Sequence, residues 1–181
     1  MEIQATGQLN VRTLQAVNGL ALCGKRDPRK HIRNHLILIA VCVGIVLLSE
    51  LLMLSLGDSL PPWLFIGLLV CVLLSLFTPY QYYIVPKRQY KKLGTRADMV
   101  SVYLFRENDI HITAEGAEGL RAEETIPYTA LHAFKETNAY LFLYADKLHV
   151  FPIDKQSMTA ADIDTVRARL QAAVPYTLCN Y

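Results

Sequence analysis

The stretches LILIAVCVGIVLLSELLMLSL (Leu36–Leu56) and WLFIGLLVCVLLSLFTPYQYYIV (Trp63–Val85) decide the fold. The first holds one charge, Glu50, in twenty-one residues; the second holds none in twenty-three. Each is long enough to cross the roughly 30 Å hydrocarbon layer of a bilayer as a helix. Only Gly57-Asp58-Ser59-Leu60-Pro61-Pro62 joins them, so the two helices form an antiparallel hairpin, with Gly57 ending one and the proline pair starting the next. At twenty-one residues the first stretch exceeds a signal-peptide core and reads as a retained anchor. Such a hairpin accounts for 52% hydrophobic and 19% charged residues in a 181-residue chain with a mean hydropathy of +0.24.

Both spans carry their cations on the side away from the connector. Lys25, Arg26, Arg29, Lys30 and Arg33 precede the first, and Lys87, Arg88, Lys91, Lys92 and Arg96 follow the second, whereas the connector holds only Asp58. By the positive-inside rule both termini of this multi-pass chain are expected in the cytoplasm. The same ten cations are expected to meet anionic lipid headgroups. Trp63 at one end of the hairpin and Tyr80, Tyr82 and Tyr83 at the other suit the interface.

The chain divides into residues 1–35, a hairpin at 36–85, and a domain at 97–181. In the first part Glu2 to Gly7 alternates weakly, and Leu9, Val11, Leu14, Val17 and Leu20 recur at helical spacing. That helix has two possible seats, the membrane surface or the C-terminal domain, and neither spacing nor charge decides between them.

Beyond the hairpin the period changes to two. Ser101 to Arg106, Ile110 to Thr113, Leu120 to Ile126, Tyr140 to Tyr144 and Leu148 to Ile153 read as a meander of about five strands, with turns at Asn108-Asp109 and Asp146-Lys147 and with Ala130 to Thr137 leading through Asn138-Ala139 into the aromatic strand. Thr159-Ala160-Ala161-Asp162 then opens a helix whose Ile163, Val166, Leu170 and Val174 form one apolar stripe. Arg167 lies off that stripe and reads as a surface residue. The expected fold is a membrane α-helical hairpin plus an α+β domain, an antiparallel β-sandwich or barrel closed by its C-terminal helix on the pleckstrin-homology-like (PH-like) plan.

Several of these stretches carry a resemblance. Phe105-Arg106-Glu107-Asn108-Asp109-Ile110, Ile126-Pro127-Tyr128 with Leu131, Phe134-Lys135-Glu136-Thr137, Tyr140-Leu141-Phe142-Leu143-Tyr144 and Val150-Phe151-Pro152-Ile153-Asp154-Lys155 resemble the YcxB-like family. The resemblance implies two adjacent transmembrane helices followed by a bacterial PH-like domain, with no known catalytic residues. It also implies Pro-Lys directly before the closing helix; here Ile153 and Asp154 separate Pro152 from Lys155, so no role passes to Lys155.

Little in the chain suggests chemistry. His31 and His35 have i, i+4 spacing but sit among Arg29, Lys30 and Arg33, which oppose a metal cation. His111, His132 and His149 are dispersed, and no phosphate loop, nucleophile elbow or paired-carboxylate motif is present. Cys23, Cys42, Cys71 and Cys179 read as packing residues. No catalytic residue, metal or cofactor is expected. From residue 97 onward seven basic residues face twelve acidic ones, which argues against nucleic acid as a partner. Glu50 is the costly residue, roughly 9 Å from the connector end of its helix by helical rise, and marks a possible intramembrane polar site. The functional expectation is a membrane-tethered, non-enzymatic interaction or regulatory module with a protein partner or a second copy; the alternative is a subunit of an oligomeric channel or transporter using Glu50.

Overall fold

The computed structural model describes residues 2–57, 61–94, 99–116, 121–147 and 149–179. Asp58 and Ser59 of the connector, the cation Arg96, the domain start at Ala97, and Leu120 and Leu148 of two expected strands lie outside the described residues.

The hairpin consists of α2 (Pro28–Ser55) and α3 (Pro62–Pro79). Helix α2 starts eight residues before the apolar stretch because Asp27 caps it: its carboxylate accepts from the Arg29 N–H at 2.9 Å and the Lys30 N–H at 3.4 Å, and Pro28 occupies the first helical position. The basic flank is therefore helical. Half-buried Ile39, Val43, Val46, Glu50 and Met53 on α2 and Leu64, Leu68, Val72 and Ser75 on α3 repeat every three or four residues and mark the seam between the helices. Their other faces are uncovered and apolar, with Leu48 68% and Leu74 70% exposed. Both helices are long and apolar enough to cross a membrane.

After α3 the second span changes register. A π-helical turn (Tyr80–Ile84) leads into α4 (Val85–Leu93). Pro79 and Pro86 bracket this turn, and each lacks the N–H that an α-helical ladder requires. The Val85 N–H reaches back five residues to the Tyr80 carbonyl. The Gln81 carbonyl consequently loses Val85 as its donor, and the next donor along would be Pro86, which has none. Asn18 on α1 (Val11–Cys23) fills the position, its Nδ2 donating to the Gln81 carbonyl at 3.3 Å.

Among the described residues, eight strands form two four-stranded sheets. The first, in the order β1-β2-β3-β4, joins β1 (Ile3–Gln8), β2 (Val100–Phe105), β3 (Asp109–Glu115) and β4 (Arg121–Pro127), all antiparallel. In the second, β7 (Val150–Asp154), β6 (Tyr140–Tyr144) and β5 (Ala133–Glu136) are antiparallel, and β8 (Tyr176–Leu178) pairs parallel to β5. Between them lie Ile3, Ala5, Tyr103, Phe105, Ile110, Ile112, Phe134, Leu141, Leu143 and Ile153, each at most 5% exposed. Helix α5 (Ala160–Ala173) covers this core with Val166 and Leu170, both 0% exposed, and Val174 follows at its cap. Ile163 is only half-buried.

The architecture is α+β, but the expected closure into a barrel does not occur: no strand of one sheet is hydrogen-bonded to the other among the described residues. Where β1 and β7 approach, Gly7 lies so close that a Cβ there would sit 2.0 Å from the Pro152 carbonyl oxygen. Pro152 brings no N–H to a ladder, which suits β7 to a sheet edge. The sheets abut at this corner instead of pairing. The meander also gains two strands at its ends, β1 from before the hairpin and β8 from beyond α5.

Helix α1 is the bridge between hairpin and domain. On one side Leu20, with Ala16 and Val17, packs on Phe142, Cys179, Tyr140 and Tyr144 on the outer face of the second sheet. Strand β6 is consequently buried on both faces, which is why Leu141, Phe142 and Leu143 in succession are all 0% exposed. On its other side Gly19 meets the hairpin, where a Cβ would lie 2.7 Å from Pro28 Cγ and 3.2 Å from Tyr82 Cε2. Of the two seats open to this helix in the sequence, it occupies the one on the domain.

Candidate functional site

The most polar buried group of the domain is Glu136, at the end of β5 and 1% exposed. Four donors converge on its carboxylate. Arg167 of α5 donates from Nε to Oε2 at 2.8 Å and from Nη2 to Oε1 at 2.7 Å; Lys155 donates from Nζ to Oε1 at 2.8 Å; the Tyr176 hydroxyl donates to Oε2 at 2.9 Å. Lys155 also donates to the Thr137 carbonyl at 3.1 Å, and Arg167 pairs with Asp164 one turn back. Burial raises the Glu136 pKa, but the hydrogen bonds from Arg167, Lys155 and Tyr176 outweigh it and hold the carboxyl at about 2. The carboxylate is thus ionised and fully engaged, and it ties β5, the turn after β7, α5 and β8 together.

Such a cluster is a lock and a poor reaction centre, since every oxygen that could take a proton is already held by a cation or hydroxyl. The sequence reading of Arg167 as a surface residue is overturned here. It is off the apolar stripe, yet it points along the helix flank into the buried carboxylate. Lys155, left without a role by the spacing after Pro152, reaches the same group from the 3₁₀ turn Lys155–Ser157. Glu136 itself drew no notice in the sequence, where a single acid between Lys135 and Thr137 resembles any strand-end polar residue.

The cations of the hairpin flanks are arranged differently. Lys25, Arg26, Arg29, Lys30 and Arg33 lie exposed before and along the first turns of α2, and Lys87, Arg88, Lys91 and Lys92 lie exposed along α4. They form a collar at the end of the hairpin that faces the domain. Arg88 Nη1 donates to the Tyr80 hydroxyl at 2.8 Å and its guanidinium lies over that ring. Below the collar, a polar cleft of about 600 Å³ separates α1 and the start of α2 from the domain. It contains Arg12, Arg29, Asp27 and Asp154, but both carboxylates are occupied as caps, Asp27 on α2 and Asp154 on the Gln156 N–H at 2.9 Å.

Glu50 sits half-buried on the α2–α3 seam. The neighbouring Ser49 hydroxyl donates to the Ile45 carbonyl at 2.8 Å, and the Ser75 hydroxyl donates to the Cys71 carbonyl at 2.6 Å. The histidines do not gather at one site among the described residues. The His31 and His35 rings stack at 6.2 Å, His111 bonds Thr125 at 3.0 Å and Glu123 at 3.2 Å, and His149 bonds Asp146 at 2.6 Å. No group of three metal-ligating side chains occurs among the described residues. Cys42 and Cys71 are exposed on the hairpin, Cys23 is half-buried, and Cys179 is buried beneath α1.

No curated protein and no solved structure matches the chain. The family model described as YcxB-like protein matches residues 105–168, from the end of β2 into α5. That match spans Glu136, Lys155 and Arg167 together with most of the strands around them, and over this segment the chain is similar to the YcxB-like protein family.

Proposed function

We propose that the chain is a membrane-tethered, non-enzymatic interaction or regulatory module. The hairpin crosses a bacterial cell membrane with both termini cytoplasmic, and the two-sheet domain, read as PH-like, is held at the inner face for a protein partner or a second copy of the chain. The observation that carries this reading is α1, which packs on the second sheet through Leu20 and on the hairpin through Gly19. A domain fixed in this way is presented at one height and orientation, which suits recognition. The satisfied state of Glu136, Asp27 and Asp154 supports a role without acid–base chemistry.

The channel or transporter alternative makes a different demand on Glu50. Full-length protein is reconstituted in vesicles, and proton and cation flux are measured for the wild type and Glu50→Gln. The module reading gives flux at the level of empty vesicles for both, with the chain retained by membranes through an alkaline carbonate wash. Flux that disappears in Glu50→Gln would establish the alternative.

A further inference from the structure

A groove runs down one side of the hairpin from the collar into the apolar zone. Arg29, Arg33, Leu36, Ile37 and Ala40 follow one another along a single face of α2, and Pro79 and Tyr83 form the opposite wall, enclosing about 380 Å³. From Arg29 to Ala40 is about 16 Å by helical rise. The top of the groove therefore has two guanidinium groups one turn apart, and its floor is aliphatic. Both arginines are exposed, and neither belongs to an ion pair among the described residues. Asp27, the nearest acid in sequence, directs its carboxylate to backbone N–H groups of α2. Among the described residues the groove has no acidic lining.

We infer that this groove is a binding site for one anionic glycerophospholipid of the surrounding bilayer, its phosphate held by Arg29 and Arg33 and an acyl chain lying along Leu36, Ile37 and Ala40 against Pro79 and Tyr83. The inference rests on the membrane reading and narrows it. A cationic collar alone attracts anionic headgroups without distinction among its members. The groove distinguishes them: Arg29 and Arg33 sit above a slot that accepts a chain, while Lys91 and Lys92 lie on α4 outside it. Two cations acting on one phosphate near the surface give a preference for an anionic over a zwitterionic lipid of about tenfold or more.

The test uses full-length protein in mild detergent and native mass spectrometry, titrating phosphatidylglycerol and phosphatidylcholine of matched chains. The expected result is a first phosphatidylglycerol adduct about tenfold tighter than the phosphatidylcholine adduct. Arg29→Gln with Arg33→Gln should abolish the preference, Lys91→Gln with Lys92→Gln should preserve it, and Ala40→Phe, which fills the slot and leaves the arginines intact, should weaken both lipids. Equal losses in the arginine and lysine pairs would overturn the site in favour of a diffuse collar. An unchanged adduct in Ala40→Phe, or displacement by inorganic phosphate at the lipid's concentration, would reduce it to a headgroup or free-anion contact and overturn it as well. Retention of each variant by carbonate-washed membranes separates a failure of this site from a failure of the membrane reading, since only the latter releases the protein.

Discussion

Arg167→Ala is the perturbation that probes the domain most sharply. It removes both arms of the fork on Glu136 and leaves a carboxylate that is 1% exposed with Lys155 and Tyr176 as its remaining donors. Breaking a buried pair from one side costs about 3–5 kcal/mol. Here the residual Lys155 contact, and the access of water to a site whose arginine side chain was 29% exposed, place the cost near the lower end, about 3 kcal/mol. A small domain has only about 5–15 kcal/mol in total, so the melting midpoint should fall by on the order of 10–20 °C. Thermal unfolding of the full chain in micelles, followed by near-ultraviolet circular dichroism of the buried tyrosines, reports this directly. Arg167→Lys keeps the charge and loses the fork, and should fall between the two. Arg121→Ala, at a pair with Glu115 in which the arginine is 67% exposed, should stay within about 0.5 kcal/mol of the wild type. If Arg167→Ala behaved like Arg121→Ala, the four-donor cluster would not be a fastening of the fold.

Three further outcomes follow from the same geometry. Because the Glu136 carboxyl is held at about 2 in the fold against an ordinary 4.5, its contribution of about 3 kcal/mol is present above about pH 4.5 and is lost as pH falls towards 2; a stability–pH curve for Glu136→Gln should be flatter across that window. Gly7→Val places a side chain where even a Cβ would lie 2.0 Å from the Pro152 carbonyl, so β1 must part from β7, and hydrogen exchange at Ile3 and Ala5 should accelerate strongly. Asn18→Ala leaves the Gln81 carbonyl without its α1 donor and should cost about 1 kcal/mol, seen as greater protease sensitivity between α1 and α2 while the domain midpoint barely moves.

The hairpin was legible because two stretches of more than twenty residues hold a single charge between them, Glu50, and the strands from β2 to β7 because turn residues separate runs of period two. The closing helix was equally clear from Val166, Leu170 and Val174. What escaped the sequence was long-range. Strand β1 pairs with β2 across the whole hairpin, from Ile3 opposite Phe105 to Gln8 opposite Val100, and no local pattern specifies that partner. Strand β8 is three residues long and parallel to β5, too short to announce itself. Leu141-Phe142-Leu143 breaks strict alternation, a sign that both faces of β6 are covered, but the cover for Phe142 comes from α1. The Glu136 cluster was hidden for the same reason: its four members lie on separate elements, and only the fold brings them together. The early start of α2 at Pro28 was readable in principle from Asp27-Pro28, a cap followed by a favoured first residue.

The proposed topology puts the domain and the residues before the hairpin on one side of a membrane, with the connector on the other. Site-directed labelling tests it in intact cells, using a full-length chain whose four cysteines are replaced and single cysteines are introduced at Ser59 in the connector or at Lys147 between β6 and β7. With a membrane-impermeant maleimide, Ser59→Cys should label in intact cells and Lys147→Cys only after permeabilisation. Labelling of Lys147→Cys in intact cells, or recovery of the chain in the soluble fraction, would rule that topology out.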